Sequence, residues 1–397
     1  MTDDVLTDLA RTTDHIFGRE DLLDRLDSGR PLRIKFGVDC TAPDLHLGHA
    51  VNLWMMRHLQ DRGHVVVFLL GDTTTRIGDP TGRNTTRPVV APDEIDRNAA
   101  AFLEQVSIVL RNDPAVLEVR RNSEWYGGMA ITDLLGELSQ VTHRQLISRD
   151  MFQARIQERR EIAVHELIYP VLQGFDSVAL HSDLTIVGSD QLFNEMMGRT
   201  LQSKHGQIPQ TVITSTITPG LDGGPKQSKS LDNYVGLTQP PAEKFGRLMT
   251  LNDELVGTWA RVYTDLPLDA VAELQRRAER GGRDARDAKL DLAEAIVGRY
   301  HGAVRAGEER RDFVRTFSDR RVPAARPEIH VAVERLALRD LVRLARPDLT
   351  ASAARRLIGG GGVRVDGRRI DDADRVVEVA DGTVLQAGRR RWFTLRR

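Results

Sequence analysis

The chain has a single cysteine, Cys40, in 397 residues. One thiol excludes an intrachain disulfide and a cysteine-rich zinc site, and it fits a reducing compartment. Aromatic residues are scarce at 5%. No stretch approaches the roughly 18 apolar residues of a membrane-spanning helix, so no membrane partner is expected. The N-terminus, MTDDVLTDLARTTDHIF, is acidic and lacks an apolar core flanked by positive charge, which points to a cytoplasmic protein. An excess of one charge is missing as well. Lys+Arg 56 against Asp+Glu 57 leaves a net charge of -1, so the chain as a whole does not advertise nucleic acid. The charge is nevertheless segregated: 15 arginines face 9 acidic residues between Glu334 and Arg397, the footprint of a phosphate-backbone binder.

The length predicts two or three domains. LRIKFGVD (32–39) reads as a buried strand, followed by apolar residues at helical spacing that stop at Gly63. HVVVFLLGD (64–72) has almost no polar alternation, as expected of a parallel strand covered on both faces. Further strands are expected at 116–122, 184–190 and 211–218, with helical stretches between them, which predicts a doubly wound, Rossmann-like α/β domain over 1–236. Ligands in such sheets sit beyond the carboxyl ends of the strands, where Asp39, His46, Asp72, Asp79, Asn122, Asp190 and Gln191 should converge. After the prolines at 240 and 241 the sequence becomes charged and helix-favouring, predicting a helical domain over 237–325. RVPAARPEIH (321–330) has the character of a linker. A small α+β module is expected over 333–397, with two short helices in LRDLVRL and SAARRLI and then a turn and strand in GGGGVRVDGRRI.

Two motifs carry chemistry. HLGH (46–49) straddles a strand-to-helix junction, and KQSKS (226–230) lies in a Gly/Pro-rich loop. In this order and on these elements they resemble the signature pair of class I aminoacyl-tRNA synthetases. Joining a carboxylate to the α-phosphate of ATP builds negative charge on phosphate oxygens, so the site must supply cations and donors. His46 and His49 can present imidazole N–H groups near a helix N-terminus, Gly48 lets the nucleotide approach closely, and Lys226 and Lys229 supply charge from a mobile loop. A zinc pair at His46 and His49 is disfavoured: i, i+3 is not the usual helical spacing, and Asp44 is the one acidic neighbour. IGDPTGR (77–83) does not match a phosphate loop, which leaves Asp79 to hold a substrate ammonium or to serve as a turn residue. Tyr169, Gln173 and Asp176 fall at i, i+4 and i+7 on one helical face. That face is either ordinary solvent surface or the wall of a pocket, in which Asp176 accepts from a buried phenol and Tyr169 and Gln173 reach the α-amino end.

With YPVLQGFDSVAL, GSDQLFN and LDGGPKQSKSLDNYVG in view, the chain resembles the bacterial tyrosyl-tRNA synthetases along its whole length, most of all the second of their two subtypes. The C-terminal module resembles the alpha-L RNA-binding module of ribosomal small-subunit protein four. The resemblance implies a homodimeric tyrosine–tRNA ligase that uses L-tyrosine, ATP with Mg²⁺, and tRNA(Tyr). It implies Thr41, His46 and His49 on ATP phosphates, with Gly48 and Ser228 also at the nucleotide, and Lys226 and Lys229 on pyrophosphate. It places Asp39, Asp79, Tyr169 and Gln173 around the amino group and backbone of tyrosine, Asp176 on its hydroxyl, and Asp190 and Gln191 at the ribose and reacting carboxylate. No resident metal site is implied.

Three departures stand out. Cys40 replaces a proline, which sets a thiol beside the ATP site and loosens a turn. Gln227 replaces the methionine of KMSKS and removes an apolar anchor. Val187 replaces a glycine and narrows the space near the amino acid. Lys35 stands where the other subtype has a phenol-binding tyrosine, shifting hydroxyl recognition toward Asp176. These departures keep two alternatives open: a specialised duplicate that resists an inhibitor or activates a modified tyrosine, and a catalytically silent RNA-binding homologue.

Overall fold

The computed structural model describes residues 2–41, 45–80, 90–318, 326–388 and 391–397. The chain divides into two compact units, Met1–Ala306 and Gly307–Arg397.

The first unit is built on a six-stranded sheet in the order β1-β6-β5-β2-β3-β4. Its strands are β1 (Thr13–Phe17), β2 (Arg33–Val38), β3 (Val65–Leu70), β4 (Leu117–Arg121), β5 (Leu184–Gly188) and β6 (Thr211–Ser215). β2 through β6 run parallel. β3, VVVFLL, is buried at five of its six positions because helices cover both faces. The expected strands are all present, though the segment beginning at Leu184 ends at Gly188 and turns into a 3₁₀ turn, Ser189–Gln191. β1 was not legible: TDHIF is a mixed, half-exposed edge strand paired antiparallel with β6 and interrupted between Thr13 and His15. From β2 the chain moves outward through β3 to β4, then returns to lay β5 on the other side of β2 and β6 beyond it. The reversal at β2 and β5 opens a crevice at their carboxyl ends, the usual ligand position in such sheets.

The helices Pro241–Leu248, Val256–Tyr263, Leu268–Arg280 and Gly282–His301 follow, with no strand among the described residues between β6 and residue 328. The last two helices are separated at Gly281 and Gly282, whose φ angles of 72° and 58° lie in the left-handed region that favours glycine. Trp259 and Tyr263 are fully buried here, with ring centroids 4.8 Å apart in an edge-to-face contact.

In the second unit, Leu338–Ala345 and Ala351–Gly359 are the two expected helices. Leu338, Leu341, Val342, Ala354 and Ile358 pack on Val363, Leu385 and Leu395. The strands are β7 (Glu328–His330), β8 (Arg335–Ala337), β9 (Val363–Val365), β10 (Arg368–Arg369), β11 (Val376–Glu378), β12 (Val384–Ala387) and β13 (Trp392–Arg396). They form a five-stranded sheet, β10-β9-β12-β13-β7, and a pair, β11-β8. Of the stretch read as linker, 321–325 lie outside the described residues, and Glu328–His330 pairs in parallel with β13. Three residues of that stretch are therefore sheet.

Candidate active site

A cavity of about 520 Å³ occupies the crevice. Its lining includes Asp39, Thr41, His46, Gly48, His49, Asp79, Tyr169, Gln173, Asp176, Asp190, Gln191, Lys226, Ser228 and Lys229. These arrive from the end of β2, the helix Leu47–Gln60, the segment after the short helix Thr74–Ile77, the helix Val164–Ala179, the turn after β5, and the loop after β6. Asp72 and Asn122, also expected at the strand ends, do not line it: Asp72 accepts from the Ser123 amide at 2.9 Å, and Asn122 is fully buried.

His46 is the N-cap of Leu47–Gln60, and its Nδ1 accepts from the Gly48 amide at 3.1 Å. The His46 amide in turn donates to Nδ1 of His49 at 3.2 Å. With both Nδ1 atoms accepting, each neutral ring carries its proton on Nε2. Burial, reinforced by the neighbouring ring and Lys226, pushes His46 down to about 2. Burial with Lys226 pushes His49 down to about 4 against the opposing pull of Asp190. The histidines are therefore neutral donors at physiological pH, and cationic charge comes from the lysines. Gly48 has a local reason to be glycine: a Cβ there would lie 2.9 Å from His46 Cε1 and expel the ring from its cap. As for the zinc alternative, Asp44 lies outside the described residues, and among the described residues no three His, Cys, Asp or Glu are grouped to hold a metal. The last three residues of IGDPTGR, 81–83, are likewise outside the described residues.

At the other end, Asp39 accepts from the Tyr169 hydroxyl at 3.0 Å and from Thr74 Oγ1 at 2.9 Å, and Asn122 donates to Thr74 at 3.1 Å. Gln191 donates to Asp79 at 2.9 Å, while Asn194 Nδ2 reaches Gln173 Oε1 at 2.8 Å and Gln191 Oε1 at 3.0 Å. Tyr169, Gln173 and Asp176 all face this cavity, which decides against the solvent-face reading. Asp176 is 3% exposed and accepts from Trp125 Nε1 at 3.0 Å. Burial pushes its carboxyl up to about 7, with Lys35 and hydrogen bonds from Trp125 opposing.

Sequence reasoning missed Glu195. Its carboxylate pairs with Lys35 at 2.8 Å, both side chains being almost fully buried, and it also accepts from Gln173 at 2.8 Å and Gln210 at 2.9 Å. The available signal was its position four residues after Gln191 on the same helical face. Lys35 is thus committed to Glu195 and to Ser177 Oγ at 2.7 Å. Asn52, one turn beyond His49, also lines the cavity with a buried Oδ1 that has no protein partner.

The departures look different in three dimensions. Cys40 is fully buried and does not line the cavity; burial first, then nearby acids, pushes its thiol up to about 12. Its amide donates to Thr75 Oγ1 at 2.8 Å, a bond proline could not make, and its carbonyl accepts from Asn98 at 2.9 Å. The turn is held rather than loosened. Gln227 is buried at 4% exposure, so the loop keeps an anchor, a polar one. Val187 lies in β5 in regular register with Thr214, and it lines the cavity. Lys226 pairs with Asp190 at 2.6 Å, and Lys229 opens the 3₁₀ turn Lys229–Leu231. Asn233 gathers the loop by accepting from Ser228 N at 2.8 Å and donating to Pro225 O at 3.2 Å. Chemically, the cavity offers two neutral N–H donors and two ammonium groups on one side, and carboxylates with amides on the other. That polarity suits a polyphosphate beside a zwitterion.

Residues 27–318 match the family of tRNA synthetases class I (W and Y), and residues 338–382 match the S4 domain. The chain belongs to this class I tRNA synthetase family. The tyrosine–tRNA ligase of Moorella thermoacetica is 42% identical over 98% of this chain and 94% of that protein. That of Thermotoga maritima is 40% identical over 98% and 96%. Among solved structures, a C-terminally truncated mitochondrial tyrosyl-tRNA synthetase of Aspergillus nidulans superposes with a TM-score of 0.63 at 21% identity, covering 80% of this chain and 94% of that one. This likeness establishes the shared fold.

The raised Asp176 carboxyl makes a prediction for stability. Between its ordinary value of 3.8 and about 7, the folded protein keeps a proton that the unfolded chain releases. Wild-type stability should therefore fall relative to Asp176→Asn as pH rises through that window, and run parallel to it above. Urea unfolding of both proteins at pH 4.5, 6 and 8 measures it; a constant difference would contradict the assignment.

Proposed function

We propose that this chain is a tyrosine–tRNA ligase: it activates L-tyrosine with ATP to tyrosyl-adenylate, releases pyrophosphate, and passes the tyrosyl group to the terminal adenosine of tRNA(Tyr). The observation that carries the reading is the single cavity in which both signature motifs face the polar trio of Val164–Ala179. A tyrosine carboxylate oxygen attacks the α-phosphorus as the bond to the bridging oxygen of the leaving pyrophosphate breaks. Nε2–H of His46 and His49 would donate to phosphate oxygens as their charge grows, with Thr41 and the amides at the helix start alongside. Lys226 would exchange Asp190 for pyrophosphate, joined by Lys229; Mg²⁺ enters with ATP as part of the substrate. Gly48 and Ser228 would border the nucleotide, Asp190 and Gln191 the ribose and the reacting carboxylate. Asp39, Asp79, Tyr169 and Gln173 would hold the ammonium end of tyrosine, and Asp176 its phenol.

The helical segment 237–325 and the module 333–397 are assigned to tRNA, the latter through its arginines. The working protein is proposed to be a cytoplasmic homodimer. No helix among the described residues is long and apolar enough to cross a membrane. For the dimer, the argument is the helix Ile131–Ser139, which has no buried residue and exposes Ile131 and Leu135, with Val164 and Ile156 also exposed. Leu135→Asp should convert a dimer into a monomer in sedimentation equilibrium at micromolar concentration; an unchanged mass would place the interface elsewhere.

Tyrosine-dependent exchange of pyrophosphate into ATP tests the chemistry. A tyrosine-only signal is expected; preference for a ring-modified analogue would favour a specialised duplicate, and silence an RNA-binding homologue. Lys229→Ala should lower the exchange rate by about 10²- to 10³-fold while tyrosine affinity by equilibrium dialysis stays within about threefold, because its contact belongs to the transition state. Equal losses in both would make it a ground-state ligand. A site built around a substrate hydroxyl rejects the analogue lacking it, a rule for which this enzyme family is the standard example. Asp176→Asn should therefore lower the kcat/KM ratio of tyrosine to phenylalanine by about tenfold or more, and an unchanged ratio would remove Asp176 from the phenol site.

A further inference from the structure

The residue that departs from the signature loop has specific partners. Gln227 Nε2 donates to the Tyr263 hydroxyl at 2.7 Å, and its Oε1 accepts from the Val235 amide at 3.2 Å. Tyr263 closes the helix Val256–Tyr263, is 2% exposed, and is also hydrogen-bonded to Thr218 Oγ1. Because its oxygen accepts from Gln227, its own hydrogen is available to Thr218, giving a directed relay from loop to helix to the chain after β6. Gln227 lies near the first motif: a Cβ on Gly48 would sit 3.8 Å from its Nε2, ordinary van der Waals range. Lys226 and Ser228 flank this side chain, and Thr218 lines the same cavity. One buried amide thus ties the lysine-bearing loop to the Val235 backbone and to the helical layer.

We propose that Gln227 and Tyr263 form a matched polar latch, in which Tyr263 is a positioning residue that holds Lys226 and Lys229 in register over the cavity for adenylate formation. The proposal rests on the reading of those lysines as the cations that meet pyrophosphate. An apolar anchor in place of Gln227 needs no partner hydroxyl; an amide does, since a buried N–H without an acceptor is costly. The two residues are therefore meaningful only together, and this predicts a rescue.

Pyrophosphate exchange, tyrosine affinity and the thermal midpoint are measured for the full chain and for Tyr263→Phe, Gln227→Met and the double variant. Tyr263→Phe leaves the Gln227 donor and Thr218 facing a ring edge, and Gln227→Met leaves the Tyr263 oxygen without its donor. Each should lower kcat for exchange about tenfold while tyrosine affinity stays within twofold. The double variant, in which the Gln227 amide and the Tyr263 hydroxyl have both gone, should recover part of the loss, to within about threefold of the parent, the remainder reflecting the Val235 amide and Thr218 hydroxyl that lose a partner. Additive losses in the double variant, unchanged single variants, or equal declines in tyrosine affinity and exchange would each overturn the latch. Gln227→Met alters a loop side chain rather than the helix core, so comparing it with the double variant keeps the test decisive even where Tyr263→Phe alone folds poorly. Absence of exchange in the parent protein would instead refute the functional reading beneath it.

Discussion

Two backbone hydrogen bonds hold the active site together across most of the catalytic unit. The Leu47 amide donates to Val235 O and the Leu237 amide to Leu45 O, each at 2.9 Å, with His46 opposite Gly236 in an antiparallel bridge. This short pairing sets the HLGH cap against the segment that leaves the KQSKS loop. Lys244, fully buried, braces it from below by donating to the carbonyls of Gly236 and Leu237 at 3.1 and 2.9 Å, its ammonium sitting 4.7 Å from the Tyr300 ring centre. Burial pushes this lysine down to about 8. An uncovered carbonyl pair in the same place would be left without donors, so the cation is accommodated where it satisfies backbone groups the pairing itself does not use.

The electrostatic pattern follows from which groups are desolvated and which are paired. His46 and His49 are kept neutral by burial and present Nε2–H in a defined tautomer because each Nδ1 is already occupied. Lys226, half-exposed, carries its charge at the mouth against Asp190. Deeper in, Lys35 and Glu195 neutralise each other in a nearly solvent-free setting, and Glu195 also receives Gln173 and Gln210. Removing either partner would leave an uncompensated buried charge, so the pair serves mainly to hold geometry around Gln173. Asp176, buried and with no salt-bridge partner among the described residues, has its carboxyl pushed up by burial to about 7.

Much of this was legible in the chain. β3 announced itself as a covered parallel strand, the strand ends carried most of the polar residues that meet in the crevice, though not Asp72 and Asn122, and the helical spacing of Tyr169, Gln173 and Asp176 predicted a shared face. What was illegible had physical causes. β1 is short, half-exposed and mixed in character, so it lacks the alternation that marks a strand. Glu195 carried no local signal that set it apart beyond its spacing from Gln191, because its partner Lys35, 2.8 Å away, lies 160 positions earlier in the chain. Cys40 read as a loosened turn because the acceptor of its amide, Thr75, lies on another segment.

The sequence by itself determined the alternation of strand and helix, the two motifs, and the residue types that can grip phosphate and ammonium, because periodicity and local chemistry are short-range properties. Tertiary structure alone decided which side of the cavity each group faces, that the histidines are neutral, that Asp176 titrates near neutrality, and that Gln227 is anchored by Tyr263. Burial and long-range pairing set these properties, and both depend on residues far apart in the chain that only the folded sheet brings within a few ångströms.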